Sequence, residues 1–112
     1  MFNMVNAGSP SVLATMVTHS EMHGDWIADC MKFMRDKGHT RINATDAAQA
    51  EWGREVEQAA GGSLRSTCNS WYVGSNVPGK ARVFMPYIGG FPKYVEACTR
   101  VAATGYAGFE MA

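Results

Sequence analysis

The chain has 112 residues, close to half of them apolar, and its ten basic side chains are balanced by ten acidic ones. This composition excludes a disordered tail and suffices for one core, and the even charge offers no field to draw nucleic acid or an anionic membrane. No apolar run is long enough to span a bilayer. The cysteines Cys30, Cys68 and Cys98 form no Cys-x-x-Cys pair, so free thiols are expected, in a cytoplasmic protein without a signal peptide.

In chain order, Phe2 to Val5 is a short apolar start of strand character. Ser9-Pro10 predicts a helix start, because serine can cap and proline suits the first helical position. That helix is expected to run to about Lys37 and to stop at Gly38. Leu13, Met16, Val17, Ile27, Met31 and Met34 share one of its faces. Met22, Trp26, Cys30 and Phe33 carry the apolar surface round a second side, leaving Glu21, Asp25, Asp29, Lys32 and Asp36 as a narrow polar stripe. Such a helix calls for cover on two sides, more than one small domain supplies. Self-association, a dimer in the simplest case, or contact with further domains is therefore expected. The eight methionines suit a surface that packs against a partner.

A second helix opens at Asn43 or Thr45 and runs through Trp52 and Val56 to Ala60, ended by Gly61-Gly62. Its inner stripe is Ala48, Trp52, Val56 and Ala59. From Cys68 to Gly90, Trp71, Tyr72, Phe84 and Tyr87 stand among glycines, prolines and asparagines, with Arg82 to Met85 extended. Aromatics on a turn-rich loop either lie over a ligand or another surface, or cap the domain's own core. Pro92 starts a third helix with Tyr94, Val95, Cys98, Val101 and Ala102 inward, and Gly105 ends it. The tail from Tyr106 to Met111 predicts a short strand. The fold class is mostly α (α+β): three helices, one long, short extended segments and an ordered aromatic, glycine- and proline-rich loop, in one domain over residues 1–112.

Several patterns with chemical meaning fall short of a site. Gly74 to Lys80 has the spacing of a phosphate-binding loop, but Ala81 stands where a hydroxyl would meet magnesium and no helix follows. His19 and His23 are four apart on the long helix, yet Ser20 replaces the glutamate of a zinc protease and no third ligand is in view. They read as histidines packed at the margin of the apolar face. Asp25 with Asp29, and Glu51 with Glu55, fall on solvent-facing stripes. No cysteine has a base beside it.

Five patches in order carry a resemblance. They are Gly8-Ser9-Pro10-Ser11-Val12-Leu13, His23-Gly24-Asp25-Trp26, the loop from Asn69-Ser70-Trp71-Tyr72 through Gly74 to Asn76-Val77-Pro78-Gly79-Lys80, Tyr87-Ile88-Gly89-Gly90, and Gly105 to Phe109. Together they resemble the C-terminal part of the flavin-binding domain of Baeyer–Villiger monooxygenases, which use FAD, NADPH and oxygen to turn ketones into esters or lactones. Asn6-Ala7 stands where that family more often has Gly-Pro. The resemblance implies that Gly8, Ser9 and Met16 lie at the flavin. Ser11, Val12, Leu13 and Met16 would line the substrate pocket, and Trp71, Asn76 and Lys80 would attend NADP. It assigns no catalytic residue and no metal to this stretch. The chain has no Gly-x-Gly-x-x-Gly fingerprint, so alone it is expected to hold neither cofactor and to be inactive, as a fragment or split part completed by the missing flavin and NADP domains. The alternative is a stand-alone oligomerisation or binding module without catalysis.

Overall fold

Gly38 decides where the long helix ends. In a computed structural model, which describes residues 1–10, 15–64 and 67–112, helix α1 spans Met16–Asp36 and gives way at Gly38, whose φ of 74° suits glycine. The start departs from the expected one. Ser9 and Pro10 are buried in a turn ahead of the helix, and the Ser9 hydroxyl donates to the Asn6 carbonyl at 2.6 Å. Among the described residues the helix begins after Thr15, which is extended and gives no side-chain cap. Leu13 lies outside the described residues.

The short strand β1 (Ile42–Ala44) follows, then α2 (Asp46–Ala60), a 3-10 turn at Trp71–Val73, α3 (Phe91–Ala103) and β2 (Phe109–Met111). Thr45 caps α2 by accepting the Ala48 N–H at 3.2 Å. Gly90, at φ 97°, turns the chain into α3, where Pro92 sits in the first turn and needs no amide hydrogen. β1 and β2 pair antiparallel, Ile42 against Met111 and Ala44 against Phe109.

The strand expected at Phe2 to Val5 is absent, and Arg82 to Met85 forms no ladder either. Without a neighbouring edge a strand has no bonds to make, and Val5 instead turns left-handed at φ 49°.

Among the described residues the core has two parts. Cys30, Met34 and Tyr106 pack with Trp26, Phe33, Val101 and Phe109, while Ala60, Val73 and Phe84 pack with Tyr72 and Ile88. The inward face of α1 is thus His19, His23, Cys30 and Met34. This refines the expected place of the histidines: both are buried on the inward face, His19 fully so. Of the other predicted face, Met34 is buried whereas Met16, Val17 and Met31 are exposed. Docking of α3 selects the side, through the Trp26 indole donating to the Cys98 carbonyl at 2.9 Å. No described helix is long and apolar enough to cross a membrane.

Candidate functional site

The N-terminal turn is held from three directions. The Val5 N–H donates to His23 Nδ1 on α1 at 3.1 Å. Trp52 on α2 donates its indole N–H to the Gly8 carbonyl at 3.1 Å. From the aromatic loop, the Met85 carbonyl accepts the Gly8 N–H at 2.8 Å and the Tyr87 N–H donates to the Ser9 carbonyl at 3.1 Å. Within the turn, Asn6 accepts the Ala7 N–H on its side chain and the Ser9 N–H on its carbonyl. Gly8 is required here: its φ is 82°, and a Cβ would stand 2.9 Å from Trp52 Nε1. Val5 has no such licence, and a β-branched residue held left-handed stores about 1–3 kcal/mol of strain.

The loop is organised by its own polar residues. Ser70 accepts the Tyr72 N–H at 3.0 Å, and Gly74 closes the 3-10 turn left-handed. This leaves Trp71 outside, 61% exposed, with its ring 4.1 Å from that of Tyr72. Phe84 and Tyr87 are buried. The loop's aromatics therefore divide: two serve the core and Trp71 does not. Met85 joins loop to turn, since its N–H donates to the Tyr72 carbonyl at 2.9 Å while its own carbonyl holds Gly8.

Behind the turn, Trp52 stacks on Tyr87 at 5.2 Å, and Tyr94 lies 5.9 Å from Tyr87. A cavity of about 600 Å³ opens beside them, lined by His23, Trp26, Trp52, Tyr94 and Cys98 among others. Burial pushes the Tyr94 hydroxyl well above its ordinary value, with Cys98 adding to the shift. Burial pulls His23 down, helped by His19. His19 is fully buried, neither of its ring nitrogens has a hydrogen-bond partner among the described residues, and its edge meets Phe91 at 4.6 Å. Sequence reasoning missed the parts played by Trp52, Met85 and Tyr94, because each acts by contact across the fold. Two signals point to His23, the His-x-x-Trp spacing and its place four residues after His19.

Of the residues singled out from sequence, Gly8 and Ser9 lie in the clamped turn, and Met16 is the exposed first residue of α1. Ser11, Val12 and Leu13 lie outside the described residues. Asn76 and Lys80 sit on an exposed turn beyond Trp71, where the Lys80 stem would be 3.3 Å from a Cβ at Gly74. No helix follows Lys80 before α3, which removes the phosphate-loop reading. Among the described residues no three histidine, cysteine or acidic side chains gather to hold a metal. A flavin fits this chemistry. The turn is held by hydrogen bonds from α1, α2 and the aromatic loop, and α1 has no side-chain cap and no acidic residue in its first turn, so that end suits an electron-rich ring edge.

No family model matches the chain. It is 36% identical over 113 residues to an acetone monooxygenase (methyl acetate-forming) of Gordonia sp. (strain TY-5), covering 97% of this chain and 21% of that protein. Against a cyclopentanone 1,2-monooxygenase of Comamonas sp. (strain NCIMB 9872) it is 35% identical, over 93% of this chain and 19% of the relative. In structure it is similar to an oxidised steroid monooxygenase bound to NADP, with a TM-score of 0.87 and 45% identity, over 98% of this chain and 20% of that one. It is also similar to OTEMO in complex with FAD and NADP, with a TM-score of 0.86 and 27% identity, over 99% and 21%. The chain spans about a fifth of the length of these relatives.

Proposed function

Because the chain belongs to the Baeyer–Villiger flavoprotein monooxygenases and matches a C-terminal segment of them, we propose that it supplies the flavin-side turn and the nucleotide-side loop of an enzyme converting ketones to esters or lactones. The observation that carries this reading is the Met85 bridge. Two segments assigned to different cofactors are bonded back to back through one residue, as a site serving both would need. In this reading Gly8, Ser9 and Met16 lie at the flavin, and Ser11, Val12, Leu13 and Met16 line the ketone pocket. Trp71, with Asn76 and Lys80 ordering its loop, closes over NADP. FAD reduced by NADPH supplies the chemistry with dioxygen. The chain's own part is to keep the turn's backbone still, lay an indole on the nucleotide and exclude water. Residues 1–112 act as the C-terminal part of a flavin-binding domain in the cytoplasm, where the three free cysteines stay reduced.

Alone, without a dinucleotide fingerprint, the chain is expected to retain no FAD and to oxidise no ketone. The test is reconstitution with the remainder of the Gordonia acetone monooxygenase, following flavin absorbance and ketone-dependent NADPH oxidation. Activity that appears on mixing and falls when Trp71 is changed to Ala supports the reading. A mixture that binds flavin yet never consumes NADPH with ketone sinks it. The exposed Met16, Val17 and Met31 face favours a second reading, a binding or oligomerisation module without catalysis. That reading stands if the chain associates with itself and ignores the flavoprotein remainder.

A further inference from the structure

His23 reaches from α1 to the N-terminal turn on one side and to α3 on the other. Its Nδ1 accepts the Val5 N–H, so in the neutral ring the hydrogen sits on Nε2 and is donated to the Tyr94 hydroxyl oxygen at 2.8 Å. Tyr94 then keeps its own hydrogen, and Cys98 lies close enough to raise the cost of losing it. The two bonds form a directed relay from Val5 through His23 to Tyr94. Val5 is in the left-handed region that a β-branched residue rarely enters. It stands three residues before Gly8, which meets Met85 and Trp52.

We propose that His23 is a positioning residue for the flavin-side turn: neutral, it pins Val5 in its strained conformation and so sets Gly8 and Ser9; protonated, it turns N–H toward N–H and releases the turn. The link to flavin rests on the function proposed above, whereas the latch rests on the chain's own geometry. The groups facing His23 are His19 on its own helix and Tyr94 and Cys98 on α3. Glu51 and Glu55 of α2 and Arg100 of α3 line the same cavity. Those three are exposed and screened by solvent, whereas burial and the neighbouring His19 both oppose a charge on His23. Release therefore comes on the acid side of the ordinary histidine value of 6.5.

The decisive measurement is amide exchange in the whole 112-residue chain, with the His23 ring followed by NMR from about pH 7.5 to about pH 5. Below the His23 pKa, protection at Val5 and Gly8 should fall about tenfold per pH unit, while Cys30 and Met34 stay protected. His23→Asn keeps an acceptor near the place of Nδ1 but does not titrate, so its Val5 protection should not change with pH. His23→Phe deletes both bonds and should leave Val5 unprotected throughout; if that variant does not fold, the other two decide. Constant Val5 protection while the ring titrates, or its loss together with Cys30 and Met34, overturns the latch. In the reconstituted enzyme, His23→Asn should flatten the acid limb of the pH profile for ketone oxidation. An unchanged limb beside a working latch would reject the flavin-side assignment alone.

Discussion

At the scale of single residues, exposure separates roles that sequence could only group together. Trp71 and Phe84 belong to one loop, and their composition left open whether they cover a ligand or a core. Phe84 is buried against Ala60 and Val73, while Trp71 touches Tyr72 and solvent. Phe84→Ala should therefore cost about 3–5 kcal/mol. Trp71→Ala should stay within about 0.5 kcal/mol, as for ordinary surface changes. Thermal unfolding of the two variants checks the pair, and a large drop for Trp71→Ala would return it to the core. His19 gives a second expectation. Burial lowers its pKa, so below 6.5 the unfolded chain takes up a proton that the folded one resists. The unfolded state then binds more protons, and stability declines as pH falls from 6.5 until the folded pKa is reached. His19→Leu removes two unpartnered buried nitrogens as well as the titration. It should be at least as stable as the parent at neutral pH and lose less on acidification. Equal losses in urea titrations would show that His19 is not the source.

At the scale of elements, what the sequence made legible is what local chemistry controls. Thr45 caps α2, Pro92 sits in the first turn of α3, and Gly38 and Gly105 end their helices left-handed, each by a mechanism lying within a few residues. Thr45→Ala should accordingly cost about 1 kcal/mol, seen as a lower urea midpoint at an unchanged slope. What stayed illegible depends on distant partners. The β1 segment is three residues long and exists because Phe109–Met111 comes back to it. Phe2 to Val5 looks like a strand but finds no edge, and Ser9-Pro10 looks like a helix start but is spent on the turn clamped by Trp52, Met85 and Tyr87. The candidate site is half legible for the same reason. Its glycines, Trp71 and the His-x-x-Trp spacing can be read in order, whereas Met85 matters through two backbone bonds that leave no trace in its side chain.

At the scale of the whole molecule, α1 is covered toward its C-terminal end and left bare at its start and along one flank. His23, Cys30 and Met34 are inside, while Met16, Val17 and Met31 are 51%, 69% and 56% exposed. A periodic apolar face left in water favours association. Met16 and Met31 lie about 22 Å apart along the helix, at 1.5 Å per residue. In a two-fold dimer with antiparallel helices, Met16 of each copy therefore meets Met31 of the other, with Val17 beside the contact, and one mode of pairing covers both ends of the face. The methionines adapt to such a seam without the close fit a rigid core requires. Sedimentation of the chain at micromolar concentration should give a dimer mass, and Val17→Glu should return a monomer that keeps its helix content. Adding the flavoprotein remainder should compete with the dimer, because both would cover the same face. A parent chain that sediments as a monomer and binds no exposed-patch dye would remove the self-association outright. A dimer indifferent to Val17→Glu would place the contact elsewhere, with the exposed Leu64, Trp71 and Val83 the next surface to substitute.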